Sequence, residues 1–323
     1  MADPTRRCVL AALLALTARR AVAEPPWPSG PITLVHGFAA GGPTDTVARI
    51  VADGLSRRLG QPVIVEARAG ASGTIAAARV AKAAPDGYTL IAIPGGHATN
   101  AAVFKGLPYR TIDDFSPISM VAEYPFVFVT HPDHEIKTLA DLVTIARSRT
   151  TPLLYGSPGI GSVHHLAVEH FACIAGIRLE HVIYRGSAAT VIDLMGRRID
   201  FMVDPPTHLV EMVREARLHA LAVSSASRFF ALPDVPTVSE AALPGYIVTS
   251  WQGLAAPAGV PNAIVNRLNR EIAEILTEPE IVRRLKILGN NPVSCSPEEF
   301  KARIASDVEK WTAIVAAAKV ERK

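Results

Sequence analysis

Aromatic residues are scarce in this 323-residue chain, at 6%, and there are three cysteines. So few aromatics argue against a stacking platform for single-stranded nucleic acid. Only Cys173 and Cys295 lie beyond the first 23 residues. Two cysteines cannot build a zinc finger, and in a large domain two distant ones are expected to be separate small core residues. Long apolar runs are also missing: Cys8–Ala18 is eleven residues, against about 20 for a membrane span. What is present is a globular composition, 49% hydrophobic and 20% charged, long enough for two domains of roughly 150 residues each. The 25 prolines exceed the average of about 5% and imply many shaped loops.

Residues 1–23 read as a signal peptide. Arg6-Arg7 give a basic start, Cys8–Ala18 the apolar stretch, and Ala21-Val22-Ala23 an A-x-A cleavage signal before Glu24. Cys8 precedes the apolar stretch, which argues against a lipoprotein. The arginines fit either Sec or twin-arginine export; the competing reading is an ordinary buried N-terminal helix. The leader holds four Arg and one Asp, so the remaining chain has 29 basic against 29 acidic residues. All of the formal +3 sits in the leader, leaving nothing to attract nucleic acid or an anionic membrane.

From residue 31, short β-rich runs alternate with helical patterns, the mark of parallel α/β layers. Strands are expected at Ile32–Val35, Pro62–Glu66 and Thr89–Ile93, with helices from Thr44 and over Ser72–Ala83. Asp53 and Arg57 lie four apart on the wet side of the first helix. The pattern repeats with strands at Pro125–Thr130, Leu153–Gly156, His181–Tyr184, Phe201–Asp204 and Ala220–Ser224, and helices after Thr138 and Ser162. Ser296, Pro297 and Glu299 sign the start of a last helix, whose stripe is Phe300, Ile304, Val308, Trp311 and Val315. The division is lobe 1 at 24–125, lobe 2 at 126–249, and a helical segment 250–323 returning to lobe 1. Ligands favour clefts between such lobes.

Three loops put small residues at helix starts beyond strand ends: Gly37–Asp45, Ser157–Ser162 and Tyr184–Ser187. Free N–H groups and the helix dipole make such a start an anion receptor. One such loop could be merely a turn and a cap; three opening helices in two lobes point to binding. No loop has the Lys of a phosphate-binding P-loop, and Gly159-x-Gly161 leads to His164 instead of a dinucleotide Gly. Gly156-Ser157-Pro158-Gly159 lacks the spacing of a nucleophile elbow. His165 and Glu169 share a helix face, yet the cluster His164-His165-x-x-x-Glu169-His170 matches no zinc-protease pattern.

At these loops the chain resembles the Bug receptors, the periplasmic substrate-binding proteins of tripartite tricarboxylate transporters. Ile32–Asp45, Gly60–Glu66, Ala84–Leu90, Tyr184–Ala189, Leu232–Glu240 and Trp251–Pro257 carry the likeness in order. The resemblance implies an α/β, two-lobed type II periplasmic-binding fold, two Rossmann-like lobes joined by two crossover strands. It implies a monomeric periplasmic receptor that captures a small carboxylate (organic acid, aromatic acid or amino acid) for the membrane subunits of such a transporter. It implies no catalysis, no cofactor, no metal and no nucleic acid. The implied ligand site is Phe38, Gly41, Gly42, Thr44, Asp45, His97, Ser157, Gly161, Ser162, His165 and Asp204. Asp204 matches an acidic position that touches ligand in amino-acid-binding members. The chain departs at His36-Gly37, Ala39-Ala40, Ile160 and His164; Ile160 makes its wall more apolar, favouring an aromatic or longer-chain carboxylate over citrate. Two readings compete: a receptor serving a sensor kinase, and a periplasmic enzyme using His165 and Asp204.

Overall fold

The computed structural model describes residues 27–184 and 186–322; the expected leader and Arg185 lie outside the described residues. The chain begins as β1 (Ile32–His36), α1 (Pro43–Leu59), β2 (Val63–Ala67), α2 (Thr74–Val80), β3 (Thr89–Pro94) and α3 (Gly96–Val103). β1 lies parallel between β2 and β3, because each helical crossover returns the next strand in the same direction. β4 (Phe115–Pro125) leaves this sheet, and after Phe126 the chain enters a second one as β5 (Val127–Thr130). There follow α4 (Leu139–Ser148), β6 (Leu153–Ser157), α5 (Val163–Ala175), β7 (Leu179–Ile183), α6 (Ser187–Met195), β8 (Phe201–Asp204), α7 (Pro206–Arg214) and β9 (His219–Val223). The short α8 (Val238–Ala241) leads into β10 (Thr249–Pro257), which returns to the first sheet. α9 (Asn262–Ile275), α10 (Pro279–Ile287), β11 (Asn291–Pro292) and α11 (Pro297–Ala317) finish the chain.

The strand orders are β11-β4-β10-β3-β1-β2 and β7-β6-β8-β5-β9. Besides β4, the inner strands that run antiparallel to both neighbours are β10 in the first sheet and β5 in the second. Each is the strand that arrives from the other lobe. Ser224, fully buried, ties the crossovers: its Oγ accepts the Phe126 N–H at 2.7 Å and donates to the Val248 carbonyl.

The core of the first sheet is filled from both ends of the chain. Leu34 and Val51 share a cluster with Leu268 and Ile281, and Val35 and Ile91 share one with Trp251 and Phe300. α11 serves both lobes. Its first half lies with Val35, whereas Trp311, Ile314 and Val315 join Phe128 and Leu166 of the second lobe. The same cluster takes Ala98, Ala102 and Val103 of α3, so α3 packs along α11 where that helix reaches the second lobe.

Several local readings are corrected. The helix expected over Ser72–Ala83 is only Thr74–Val80, because Ala71 and Ser72 are left-handed, at φ 45° and 55°. Asp53 and Arg57 take partners from the C-terminal segment: Arg284 at 3.4 Å and Glu278 at 2.7 Å. β4 was not expected from sequence, since Pro117 interrupts its run; a register shift opposite, between Leu254 and Ala255, accommodates the break. Cys173 and Cys295 are unpaired, and Cys173 is exposed rather than a core residue.

Candidate functional site

Helix starts differ according to where they point. Thr138–Asp141, Thr237–Glu240 and Ser296–Glu299 form capping boxes that close α4, α8 and α11. Beyond the carboxyl ends of β1, β2, β3 and β7, by contrast, the N-caps are Gly42, Gly73, Gly95 and Gly186, none with a side chain to close its helix. α9 and α10 also lack side-chain caps, but they begin among exposed residues at 261–263 and 279–280, where water satisfies the backbone. The glycine starts lie on the inner ends of the sheets, where a bound anion can take water's place.

In the first lobe the β1–α1 loop is held rigid from below. Asp45, 3% exposed, accepts from His36 Nε2 at 2.8 Å, the Gly41 N–H at 2.9 Å, and Arg49 through two nitrogens at 2.8 and 3.0 Å. The Arg49 guanidinium, with Gly41 and His36, holds this carboxyl far below the usual range. His36 Nδ1 accepts the Phe38 N–H at 3.4 Å, so the ring proton is on Nε2, facing Asp45. Asp45 is therefore consumed in shaping the loop, as is the Gly41 N–H, while Gly42 N–H is spent on the Ala39 carbonyl. Thr44 is buried at the first turn, and Phe38 is half-buried at the rim. Gly37 touches the neighbouring loop so closely that a Cβ would sit 2.3 Å from Gly73 Cα. His97 stands apart: it is buried, its Nε2 bonds the Thr111 carbonyl at 2.9 Å, and it stacks on Tyr109. Burial pushes its pKa down to about 4.

In the second lobe the loop Ser157–Ser162 rests on a stack of rings. Ser157 Oγ meets His181 Nε2 at 2.7 Å, His181 stacks on His165 at 4.3 Å, and both stack on Tyr155. The Tyr155 hydroxyl donates to Glu169. Burial lowers the His181 pKa to about 4 and raises that of Glu169. His165 Nδ1 accepts the Gly161 N–H at 3.2 Å, and its own N–H caps onto Ser162 Oγ. His165 thus fixes the loop from two sides. Ser162 Oγ accepts one N–H of the helix, and its hydroxyl also carries a proton that can be donated.

Asp204, fully buried at the end of β8, accepts on Oδ1 from Ser187 Oγ at 2.7 Å, and His164 Nε2 lies 3.0 Å from the same oxygen. Burial pushes the nearby Tyr124 phenol up to about 12. Neither arrangement is a hydrolytic triad. Ser187 and His164 share one carboxylate oxygen instead of facing each other, and Ser157 beside His181 is 1% exposed. Among the described residues no three His, Cys, Asp or Glu side chains gather as a metal site. Ser157 and Asp204 stand at the ends of their strands, Gly161, Ser162 and His165 hold one another at the start of α5, and Thr44 lies in the first turn of α1, while His97 is bonded to Thr111 instead of to any of these. Sequence reasoning missed Ser187, His164 as the partner of Asp204, His181, and the strained Ser72. Of these, Ser187 had a sequence signal in its place in the third helix-opening loop, and His164 in its departure from the family pattern.

The chain has known relatives in sequence and in fold. The model of the tripartite tricarboxylate transporter family receptor matches residues 47–320. The chain belongs to that receptor family. It is similar to Protein BugT of Bordetella pertussis, 33% identical over 291 residues covering 90% of this chain and 89% of BugT. Two solved structures superpose closely. Rpa4515 of R. palustris with adipate has a TM-score of 0.84 at 34% identity, covering 92% of this chain and all of that one. MatC from Rhodopseudomonas palustris with bound malate has 0.79 at 33%, covering 90% and 100%. The fold is thus the two-lobed periplasmic-binding type, and the protein is a solute-binding receptor, not an enzyme. Among the described residues no helix is long and apolar enough to cross a membrane.

Proposed function

We propose that this receptor is exported to the periplasm, closes as a monomer on a small carboxylate, and delivers it to the membrane subunits of a tripartite tricarboxylate-type transporter. Its lobes are 24–125 with 250–323, and 126–249, and its leader is residues 1–23. The observation that carries the reading is the set of uncapped glycine helix starts at the inner strand ends of both lobes, set against the boxes elsewhere. One ligand carboxylate is held by the backbone of Thr44 and Asp45 beside Phe38, and by the Ser162 hydroxyl with the first N–H groups of α5. Asp45, Gly41, Gly42, Ser157, Gly161 and His165 keep those donors in place. Asp204 reads a second part of the ligand. The adipate on Rpa4515 and the malate on MatC are ligands of the same charge class.

Thermal unfolding against organic acids, aromatic acids and amino acids tests the proposal. A true ligand at 100 times its dissociation constant adds about 2.7 kcal/mol to stability, and small-angle scattering then shows a smaller radius as the hinge closes. A panel in which no carboxylate stabilises the protein overturns it.

A further inference from the structure

α11 holds the two crossovers by polar side chains as well as by its apolar face. Arg303 gives Nη1 to Glu123 Oε1, Nη2 to Thr249 Oγ1 and Nε to Asp307 Oδ2, each at 3.1 Å. Glu123 lies on β4 and Thr249 opens β10, so one guanidinium grips both crossover strands where they leave the first lobe. Thr249 Oγ1 donates in turn to Glu123 Oε1 at 2.8 Å. The buried Asp307 also accepts Trp251 Nε1 of β10 at 2.6 Å. About two turns on from Arg303, Lys310 donates to the Ile247 carbonyl at 3.0 Å. Ile247 stands between Tyr246 and Val248, both in the core cluster of the second lobe. The two grips therefore lie on opposite sides of the crossing, on one face of one helix.

The grips differ in kind. Arg303 is a planar fork with three acceptors, whereas Lys310 is a point charge on a flexible stem and holds one carbonyl. A hinge bends where a few residues at the ends of elements absorb the change in backbone angle. Here those residues are Ile247–Thr249 with Pro125 and Phe126 beside them. Any rotation of one lobe on the other turns that segment against α11.

We propose that α11 is a splint across the hinge, in which Arg303 and Lys310 fix the angle between the lobes without touching ligand. Lys310 is the grip that yields, because rotation breaks one bond to a carbonyl before it breaks a three-point hold. Both are positioning residues. Through the crossovers they set the distance between the loops Gly37–Asp45 and Ser157–Ser162, and so the fraction of molecules in which both loops can hold one solute.

The test needs no solute, so its outcome is separate from the choice of carboxylate. Spin labels at Ile64→Cys on β2 and Ile192→Cys on α6, both exposed positions, report the distance between the lobes by pulsed electron resonance. The background carries Cys173→Ser and Cys295→Ser, since both thiols are free. The parent should give one narrow distance distribution. Lys310→Met keeps an apolar stem and removes the donor; it should shift or broaden the distribution by several ångströms, and Lys310→Arg should restore it. Arg303→Met should do the same as Lys310→Met; should it fail to fold, Lys310→Met decides alone. A merely structural role lowers the urea midpoint and leaves the distribution as it was. An unchanged distribution in either folded methionine variant, or one that Lys310→Arg leaves just as broad, overturns the splint.

Discussion

Gly161, on the anion loop of the second lobe, lies against Val103, the last residue of α3 in the first. At φ +79°, a Cβ added to Gly161 would stand 2.6 Å from both Val103 methyls. The contact between the two lobes at this point therefore depends on a missing side chain.

Gly161→Ala should weaken ligand binding at least tenfold. The left-handed backbone costs about 1–2 kcal/mol for a residue with a Cβ, and the collision with Val103 adds to it. Val103→Ala in the same molecule should recover the steric part and not the backbone part. Titration of the single and double variants reads the two separately; an unaltered affinity in Gly161→Ala would show that the loop does not close on ligand.

Ser162→Ala separates capping from ligand contact. Losing the cap costs about 0.5–2 kcal/mol of stability, while a hydrogen bond to a charged group contributes about 1.5–3 kcal/mol, roughly 10- to 100-fold in affinity. The expected outcome is a folded protein with that loss in binding. A lowered melting temperature with intact affinity would make Ser162 a cap alone.

Ser224→Ala should destabilise by about 1–3 kcal/mol, because it strips the buried Phe126 N–H and Val248 carbonyl of their shared partner. Urea unfolding measures this. A change within a few tenths of a kcal/mol would mean that the crossovers hold each other without it.

Stability should fall as the pH drops from about 6.5 toward 4. His97 and His181 are both pushed from 6.5 to about 4, mainly by burial. In that window the unfolded chain takes up protons that the native chain refuses, so stability rises with pH. Glu169, raised by burial, works in the opposite direction. Urea midpoints across this range should therefore show a shallower slope in His181→Asn than in the parent; identical slopes would remove His181 from the account.

What could be read from sequence was what neighbours in sequence decide. Ser296, Pro297 and Glu299 lie within one turn, and the structure shows the box they announce. Thr138 with Asp141 is the same case. The partners that shape the candidate site are separated by folding distance. His164 and Asp204 are forty residues apart and meet only because β6 pairs with β8. Asp53 and Arg57 looked like a helical pair, yet Arg284 and Glu278, more than 200 residues on, reach them first. Nothing local marks Ser224 as the residue between two crossovers, since its two partners lie 98 and 24 residues away.

The exchange of β5 and β10 has a consequence in time. Val35 and Ile91 are among the first strand residues to be synthesised, but Trp251, Ala255, Phe300 and Ile304 must arrive before they are covered. The first lobe thus waits for almost the entire polypeptide, with loop closures of more than 200 residues ahead of it. The strands of the second lobe are supplied by one continuous stretch between β5 and β9. On a chain emerging from one end, the second sheet can form before β10 completes the first, and both lobes are finished only when α11 arrives.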